Sequence, residues 1–315
     1  MSSQPTALPS EFDSHDDAPA RVAAVIPVYN RRETTLQALR SLSHIDRTGI
    51  DLRVFIVDDG STDGTAQAIE KDFPDVVIVR GDGSLHYAAG TNLGMVAAKE
   101  WHPDHYLLTN DDSVFHDQFL VRLLETSRNN PRSVVGALLL LWDQPHRVFQ
   151  VDLKWSVSGG GWVIPEDLTA FSVGSEPFDV ECLVGNCTLV PAEAVAECGL
   201  LDAQRFPHGW GDAQYFTRLR NAGWRLMVNP RAYVWCEPNT NPPPLHSQPV
   251  GDVLRILFRN RRHPLNLQRQ FIARWESAPN RLSAIAAFTV YLGGLFGKAV
   301  THGLSLPRTR TSQNE

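Results

Sequence analysis

Val54-Phe55-Ile56-Val57-Asp58-Asp59-Gly60-Ser61-Thr62-Asp63-Gly64 is the stretch that decides the fold. Four consecutive apolar residues, three of them β-branched, read as a strand buried on both faces. The run stops at two carboxylates and a set of turn formers. The same grammar repeats on either side. Upstream, Val22-Ala23-Ala24-Val25-Ile26 is closed by Pro27-Val28-Tyr29-Asn30, and Leu36, Leu39 and Leu42 then recur one helical turn apart. Downstream, Thr62 or Asp63 is placed to cap a helix reaching about Lys71. A third run, Val76-Val77-Ile78-Val79, leads into a Gly-rich loop and a helix through Lys99. A fourth, Tyr106-Leu107-Leu108-Thr109, ends in Asn110-Asp111-Asp112. Strands that alternate with helices in this way predict an α/β, Rossmann-like, mostly parallel sheet flanked by helices. Ligands bind such sheets at the carboxyl ends of the strands. Here each strand ends in a polar cluster: Tyr29-Asn30, Asp58-Asp59, Asp82, Asp111-Asp112.

Composition narrows the function. The chain has 315 residues and a formal net charge of −6, from 29 Lys+Arg against 35 Asp+Glu. That balance argues against a nucleic-acid partner, which needs a basic stripe. The four cysteines, Cys182, Cys187, Cys198 and Cys236, form no C-x-x-C pair and read as free thiols of a reducing compartment. Residues 1–20 are polar and acidic and do not read as a signal peptide. They are expected to be a disordered tail on a cytoplasmic protein.

The remainder divides by pattern. Residues 133–141 read as a buried strand, 147–163 as antiparallel strands, and 178–190 as one strand ending near Gly185-Asn186. A helix is predicted over 212–221, with Gly223 as its stop. The organisation expected is a nucleotide-binding domain over 21–240, a Pro-rich linker over 241–248, a C-terminal helical extension over 249–303 and a tail over 304–315. The extension interleaves Arg255, Arg259, Arg261, Arg262, Arg269 and Arg274 with apolar residues and precedes an apolar run over 284–297. That run is short and Gly-interrupted for a membrane span. A basic amphipathic surface helix at the inner face of a membrane, a helical cap and a homodimer contact all fit it.

Adjacent carboxylates at a strand end can hold a hard divalent cation, although two acids on a solvated turn look the same in sequence. A carboxylate such as Asp58 or Asp59 can accept the N–H of a nucleobase, although Asp-Gly pairs are also plain turn chemistry. The glycines of Gly81-Asp82-Gly83-Ser84 and Gly90-Thr91-Asn92-Leu93-Gly94 allow close backbone approach to a phosphate or simply tight turns.

Taken together, Ala24-Val25-Ile26-Pro27-Val28-Tyr29-Asn30-Arg31, Val57 to Asp63, Gly90 to Gly94, Asn110-Asp111-Asp112 and Gly211-Asp212 resemble the inverting glycosyltransferase family 2, over roughly residues 21–236. The resemblance implies the GT-A fold and transfer of a sugar from a UDP- or dTDP-linked donor to a saccharide or lipid-linked acceptor. It implies a donor site from Pro27, Tyr29, Asn30, Asp58, Asp59, Asp82, Asn92, Asn110 and Asp111, with Asp112 holding Mg²⁺ or Mn²⁺. Asp212 is then the general base, and Asn186, His208 and Trp210 lie near the acceptor. The Asn-Asp-Asp form of the metal motif is similar to that of rhamnosyltransferase-like members.

Three departures stand out. Thr91 replaces the family's common Arg, Gly211 replaces the Glu before Asp212, and Cys236 or Trp235 stands where many relatives carry a His. These keep open a degenerate protein that binds nucleotide-sugar or glycan without turnover. A sugar nucleotidyltransferase would need a Gly-rich basic loop after the first strand, and a dehydrogenase G-x-G-x-x-G; Pro27-Val28-Tyr29-Asn30 is neither.

Overall fold

Buried apolar strands set the architecture. The computed structural model describes residues 18–207, 209–238, 245, 248–260 and 263–302, the last five through their backbone alone. Its first half runs β1 (Ala20–Val28), α1 (Arg32–Ser43), β2 (Ile50–Asp58), α2 (Thr65–Asp72), β3 (Val77–Arg80), α3 (His86–Lys99), β4 (His105–Leu108), β5 (Ser113–Phe115) and α4 (Phe119–Asn129). There follow β6 (Ser133–Leu141), β7 (Val148–Gln150), β8 (Lys154–Ser156), β9 (Gly161–Val163), β10 (Phe178–Asp179), β11 (Thr188–Pro191), α5 (Ala192–Cys198), α6 (Gly211–Asn221) and β12 (Arg225–Cys236). The chain closes with α7 (Val250–Leu254), a π-helical turn (Arg255–Arg259), α8 (Leu267–Ser277) and α9 (Arg281–His302). Residues 1–17 and 304–315 of the expected tails, and most of the Pro-rich linker, lie outside the described residues.

The main sheet has the order β10-β12-β6-β11-β4-β1-β2-β3, with β5 added to β12 and β7 to β6. The strands β3, β2, β1 and β4 are mutually parallel, as are β6 and β12. Between these two blocks β11 runs antiparallel to both β4 and β6. Residues 22–26 of β1 and 54–57 of β2 are buried, as a run covered by helices on both faces requires. β3 is the edge strand, and Val77 is correspondingly exposed.

Two local expectations are corrected. Residues 178–190 form two short strands, β10 beside β12 and β11 at the sheet centre, with no ladder between them. There the backbone N–H groups go to side chains: those of Glu181 and Cys182 to Asp152, and that of Gly185 to Asp212. Cys187 then turns the chain at φ 53°. α2 begins at Thr65, after Gly64 at φ 81°. Asp63 contributes from one residue further out, its Oδ1 accepting from the Thr65 amide and hydroxyl and its Oδ2 from the Arg32 amide.

The C-terminal helices pack on the sheet domain, α8 against α6 and α9 against β9. Of the arginines in this extension, Arg255 and Arg259 are exposed. Arg269 and Arg274 turn inward and are buried. Arg274 donates from Nε to Gly160 O at 2.5 Å, and its guanidinium lies 4.2 Å from the Tyr291 ring. Arg269 donates to Gly209 O at 2.9 Å.

α3 lies close on the sheet at Gly94. A Cβ there would meet Val25 Cγ1 at 2.5 Å and Val57 Cγ2 at 2.9 Å. Gly94→Ala is therefore expected to cost about 1–3 kcal/mol of stability in urea denaturation, as overpacking does. Gly293→Ala on α9, with nothing within 4 Å, is expected to add about 0.5–1 kcal/mol.

Candidate active site

The parallel register of β1 and β2 ends at Val28 opposite Asp58, and the loops after these strands interlock. Asn30, at φ 52°, donates its amide to Ser61 Oγ and receives the Thr62 amide on Oδ1. Asp58 is only 1 % exposed and is committed to the fold: Oδ1 accepts from the Ser61 amide and Oδ2 from Arg80 at 3.0 Å. Asp59 gathers the next loop, accepting from the amides of Gly83, Leu85 and His86. Asp82 is exposed, with its carboxyl held below the usual range by the Ser84 hydroxyl and amide. Tyr29 is 55 % exposed, and Pro27 lies against Gly90. The sequence-expected donor residues thus meet at one edge, where Asp58 and Asp59 build the wall. Asn92 does not join them. Its amide group is taken at both ends by Leu201, through Nδ2 to O and Oδ1 from N.

The Asn110-Asp111-Asp112 turn is fastened from behind by Asn186. Its Oδ1 accepts from the Asn110 amide at 2.9 Å, the Thr109 hydroxyl at 3.1 Å and the Ser113 hydroxyl at 3.2 Å. Its Nδ2 donates to Cys236 Sγ at 3.2 Å. Asn186, which the resemblance places near the acceptor, is a buried hub here. Of the two residues considered for the missing His, Cys236 is the one beside this hub. Trp235 points to the other side of β12 and donates to Pro145 O. Burial drives the Cys236 thiol well up, so it stays protonated.

Asp111 is 6 % exposed, and its Oδ2 is buried without a hydrogen bond; so is Asp112 Oδ1. Burial pushes the Asp111 carboxyl up to about 7 against the lowering pull of Arg31, with Asp112 adding to the rise. Asp112 is raised by burial in the same way. The Arg31 guanidinium faces both, with Nε 3.5 Å from Asp111 and Nη1 3.8 Å from Asp112, and holds Glu237 at 2.6 Å. Among the described residues no three His, Cys, Asp or Glu side chains stand close enough to enclose a metal by themselves. The two orphaned oxygens are nonetheless what a hard cation seeks, with diphosphate and water able to complete its shell. Arg31 and Glu237 were missed in sequence; only the position of Arg31 directly after the Tyr29-Asn30 turn marked it.

Asp212 lies in the first turn of α6. Its Oδ2 accepts from the Gly185 amide at 3.0 Å and its Oδ1 from the Ala213 amide at 2.9 Å. Tyr87, unremarked in sequence, donates its hydroxyl to Gly185 O at 2.5 Å. The Gly185 peptide is thus clamped at both ends, and a Cβ on Gly185 would strike both Tyr87 and Asp212. Burial and the nearby Asp212 charge raise the Tyr87 phenol, so it remains a donor. Trp210 precedes α6 in the left-handed region at φ 62°, half-buried near Arg274. His208 lies outside the described residues.

Known proteins match this arrangement at several levels. A family model described as "Glycosyltransferase like family 2" matches residues 19–248. An N-acetylglucosaminyl-diphospho-decaprenol L-rhamnosyltransferase of Mycobacterium tuberculosis is 29 % identical over 202 residues, covering 58 % of this chain and 65 % of that protein. The same match recurs in a second strain. Among solved structures, GalNAc-T7 with UDP, GalNAc and Mn²⁺ aligns at TM-score 0.57 and 13 % identity, over 94 % of this chain and 60 % of the other. Mannosyltransferase PcManGT from Pyrobaculum calidifontis with GDP-Man and Mn²⁺ aligns at 0.55 and 16 %, over 92 % and 77 %. These structural likenesses show the GT-A fold that the family resemblance implied. The family match spans well over half of the chain, and with it the chain belongs to the glycosyltransferase family 2-like proteins.

Proposed function

We propose that the chain catalyses inverting transfer of a sugar from a nucleotide-sugar to a hydroxyl of a saccharide or lipid-linked acceptor. The observation that carries this reading is that two neighbouring residues tie two chemistries together. Asn186 holds the turn whose carboxylate oxygens, on Asp111 and Asp112, lack hydrogen bonds, and Gly185 holds the carboxylate of Asp212. Asp112, with Asp111 beside it, would hold Mg²⁺ or Mn²⁺. When bound, that ion neutralises the leaving diphosphate. Tyr29 offers its exposed ring and Asp82 its exposed carboxylate to the nucleoside. Asp212 takes the proton of the acceptor hydroxyl as the sugar carbon is attacked from the far face. The Gly185 peptide, held by Tyr87, fixes the direction in which Asp212 points.

The activity of the mycobacterial relative favours L-rhamnose as the sugar and a polyprenyl-diphosphate-linked saccharide as acceptor. A membrane-borne acceptor suits the C-terminal region as a peripheral contact. Residues 249–303 carry eight Lys and Arg against two Asp and Glu, in a chain that is acidic overall. Along α9, Leu282, Ile285, Val290 and Phe296 are exposed, Leu282 by 80 % and Phe296 by 61 %. No helix among the described residues is long and apolar enough to cross a membrane. An apolar stripe in a basic setting instead matches the surface of an anionic bilayer. The non-catalytic alternative, a nucleotide-sugar-binding protein, is favoured by Gly211 in place of an acid and by Arg31 facing the acid pair.

Three outcomes test this reading. Asp212→Asn is expected to lower kcat by about 10²–10⁴-fold with nucleotide binding retained, the range for loss of a general base. Unchanged turnover removes Asp212 from the chemistry. In thermal melts, UDP or dTDP with Mn²⁺ is expected to raise the midpoint, and chelator or Asp112→Asn to abolish the rise. No rise with any nucleotide removes the donor site, and the nucleotide-sugar-binding alternative with it. In flotation assays the protein is expected to rise with phosphatidylglycerol vesicles and not with phosphatidylcholine vesicles. A double variant Leu282→Asp/Phe296→Asp is expected to stay at the bottom; equal flotation of the variant removes α9 as the contact.

A further inference from the structure

The feature left unexplained by this reading is Arg31. Its backbone starts α1, where its carbonyl oxygen accepts from the Thr35 amide and hydroxyl, so its position is fixed. Its side chain spans the carboxylates that follow β4 and the one that follows β12. Only the contact with Glu237, at 2.6 Å, is a hydrogen bond. A guanidinium fitted to a carboxylate bonds at about 2.7–2.9 Å through its planar fork. Against Asp111 and Asp112 the distances are 3.5 and 3.8 Å, and Asp111 Oδ2 and Asp112 Oδ1 have no hydrogen bond. The charge is balanced in part while the oxygens are not coordinated. The Arg31 side chain is 38 % exposed, with a route outward along Glu237, which is 51 % exposed.

We propose that Arg31 is an internal cation that competes with the divalent ion for Asp111 and Asp112. Glu237 is its anchor in the competing position. The inference rests on the metal assignment to Asp112 made above. Without donor, Arg31 compensates the buried acids and weakens divalent binding. When a nucleoside diphosphate arrives, its negative charge receives the displaced guanidinium, so nucleotide and metal favour one another. Arg31 is in this sense a positioning residue that couples the two ligands, in a chain where Thr91 offers the diphosphate no charge.

Mn²⁺ titrations followed by the electron paramagnetic resonance of free Mn²⁺ test this on the full chain, with and without UDP or dTDP. Without nucleotide, Arg31→Gln is expected to bind Mn²⁺ about tenfold more tightly than the native chain, within the usual range of coupling between sites. Arg31→Lys, which keeps the charge, is expected to stay near native. After subtraction of the Mn²⁺ taken up by nucleotide alone, nucleotide is expected to tighten Mn²⁺ binding by a larger factor in the native chain than in Arg31→Gln. Equal or weaker Mn²⁺ binding by Arg31→Gln, with binding still lost in Asp112→Asn, overturns the competition and leaves the metal assignment standing. Mn²⁺ binding unchanged in Asp112→Asn overturns the metal assignment, and the competition with it.

Discussion

One buried amide governs the carboxyl edge of this sheet. Asn186 Oδ1 accepts three donors from the segment after β4, while its Nδ2 reaches Cys236 at the end of β12. A buried primary amide left with unpaired atoms is costly, so these bonds hold the segment in one shape. That shape keeps Asp111 and Asp112 side by side in a site too dry for them. Their partner charge must come from elsewhere, and in this structure it comes from Arg31. The hub also explains how the site tolerates Cys236. A protonated thiol accepts the Asn186 N–H as a small neutral group and adds no charge to the cleft.

The large design was legible in the residues because burial and polarity alternate sharply there. Apolar runs stop at Asp58, Asp111 and Asn30, and the structure brings those stops to one edge. The α6 boundaries were legible too, since Asp212 and Gly223 punctuate a clear apolar face. The region over 178–190 was not, because an apolar segment reads as strand whether its amides meet a neighbouring strand or the carboxylates of Asp152 and Asp212. Polar residues were harder still. Asn92 and Asn186 carry the same side chain as a ligand-binding asparagine, and only the partners of that amide, Leu201 for one and the β4 turn for the other, separate a staple from a contact. Arg269 and Arg274 misled for the opposite reason. A basic residue among apolar ones is compatible with either face, and Gly209 O and Gly160 O draw these two inward.

Those two arginines also bear on how the parts relate. Arg269 of α8 holds Gly209 O, two residues before α6 begins, and Arg274 holds the β8–β9 connection at Gly160 O. α9 is tied to the same point, since Gly160 packs against the Tyr291 backbone closely enough that a Cβ would sit 3.2 Å from it. α8 is therefore joined to the segment before α6 and to Gly160 by hydrogen bonds to main-chain carbonyls, and α9 packs on the second of these points. Such bonds report backbone position and not residue identity, so surface substitutions on either helix leave the linkage intact. The outer helices and the segment leading into α6 therefore share one set of main-chain anchors, and loss of either arginine loosens both.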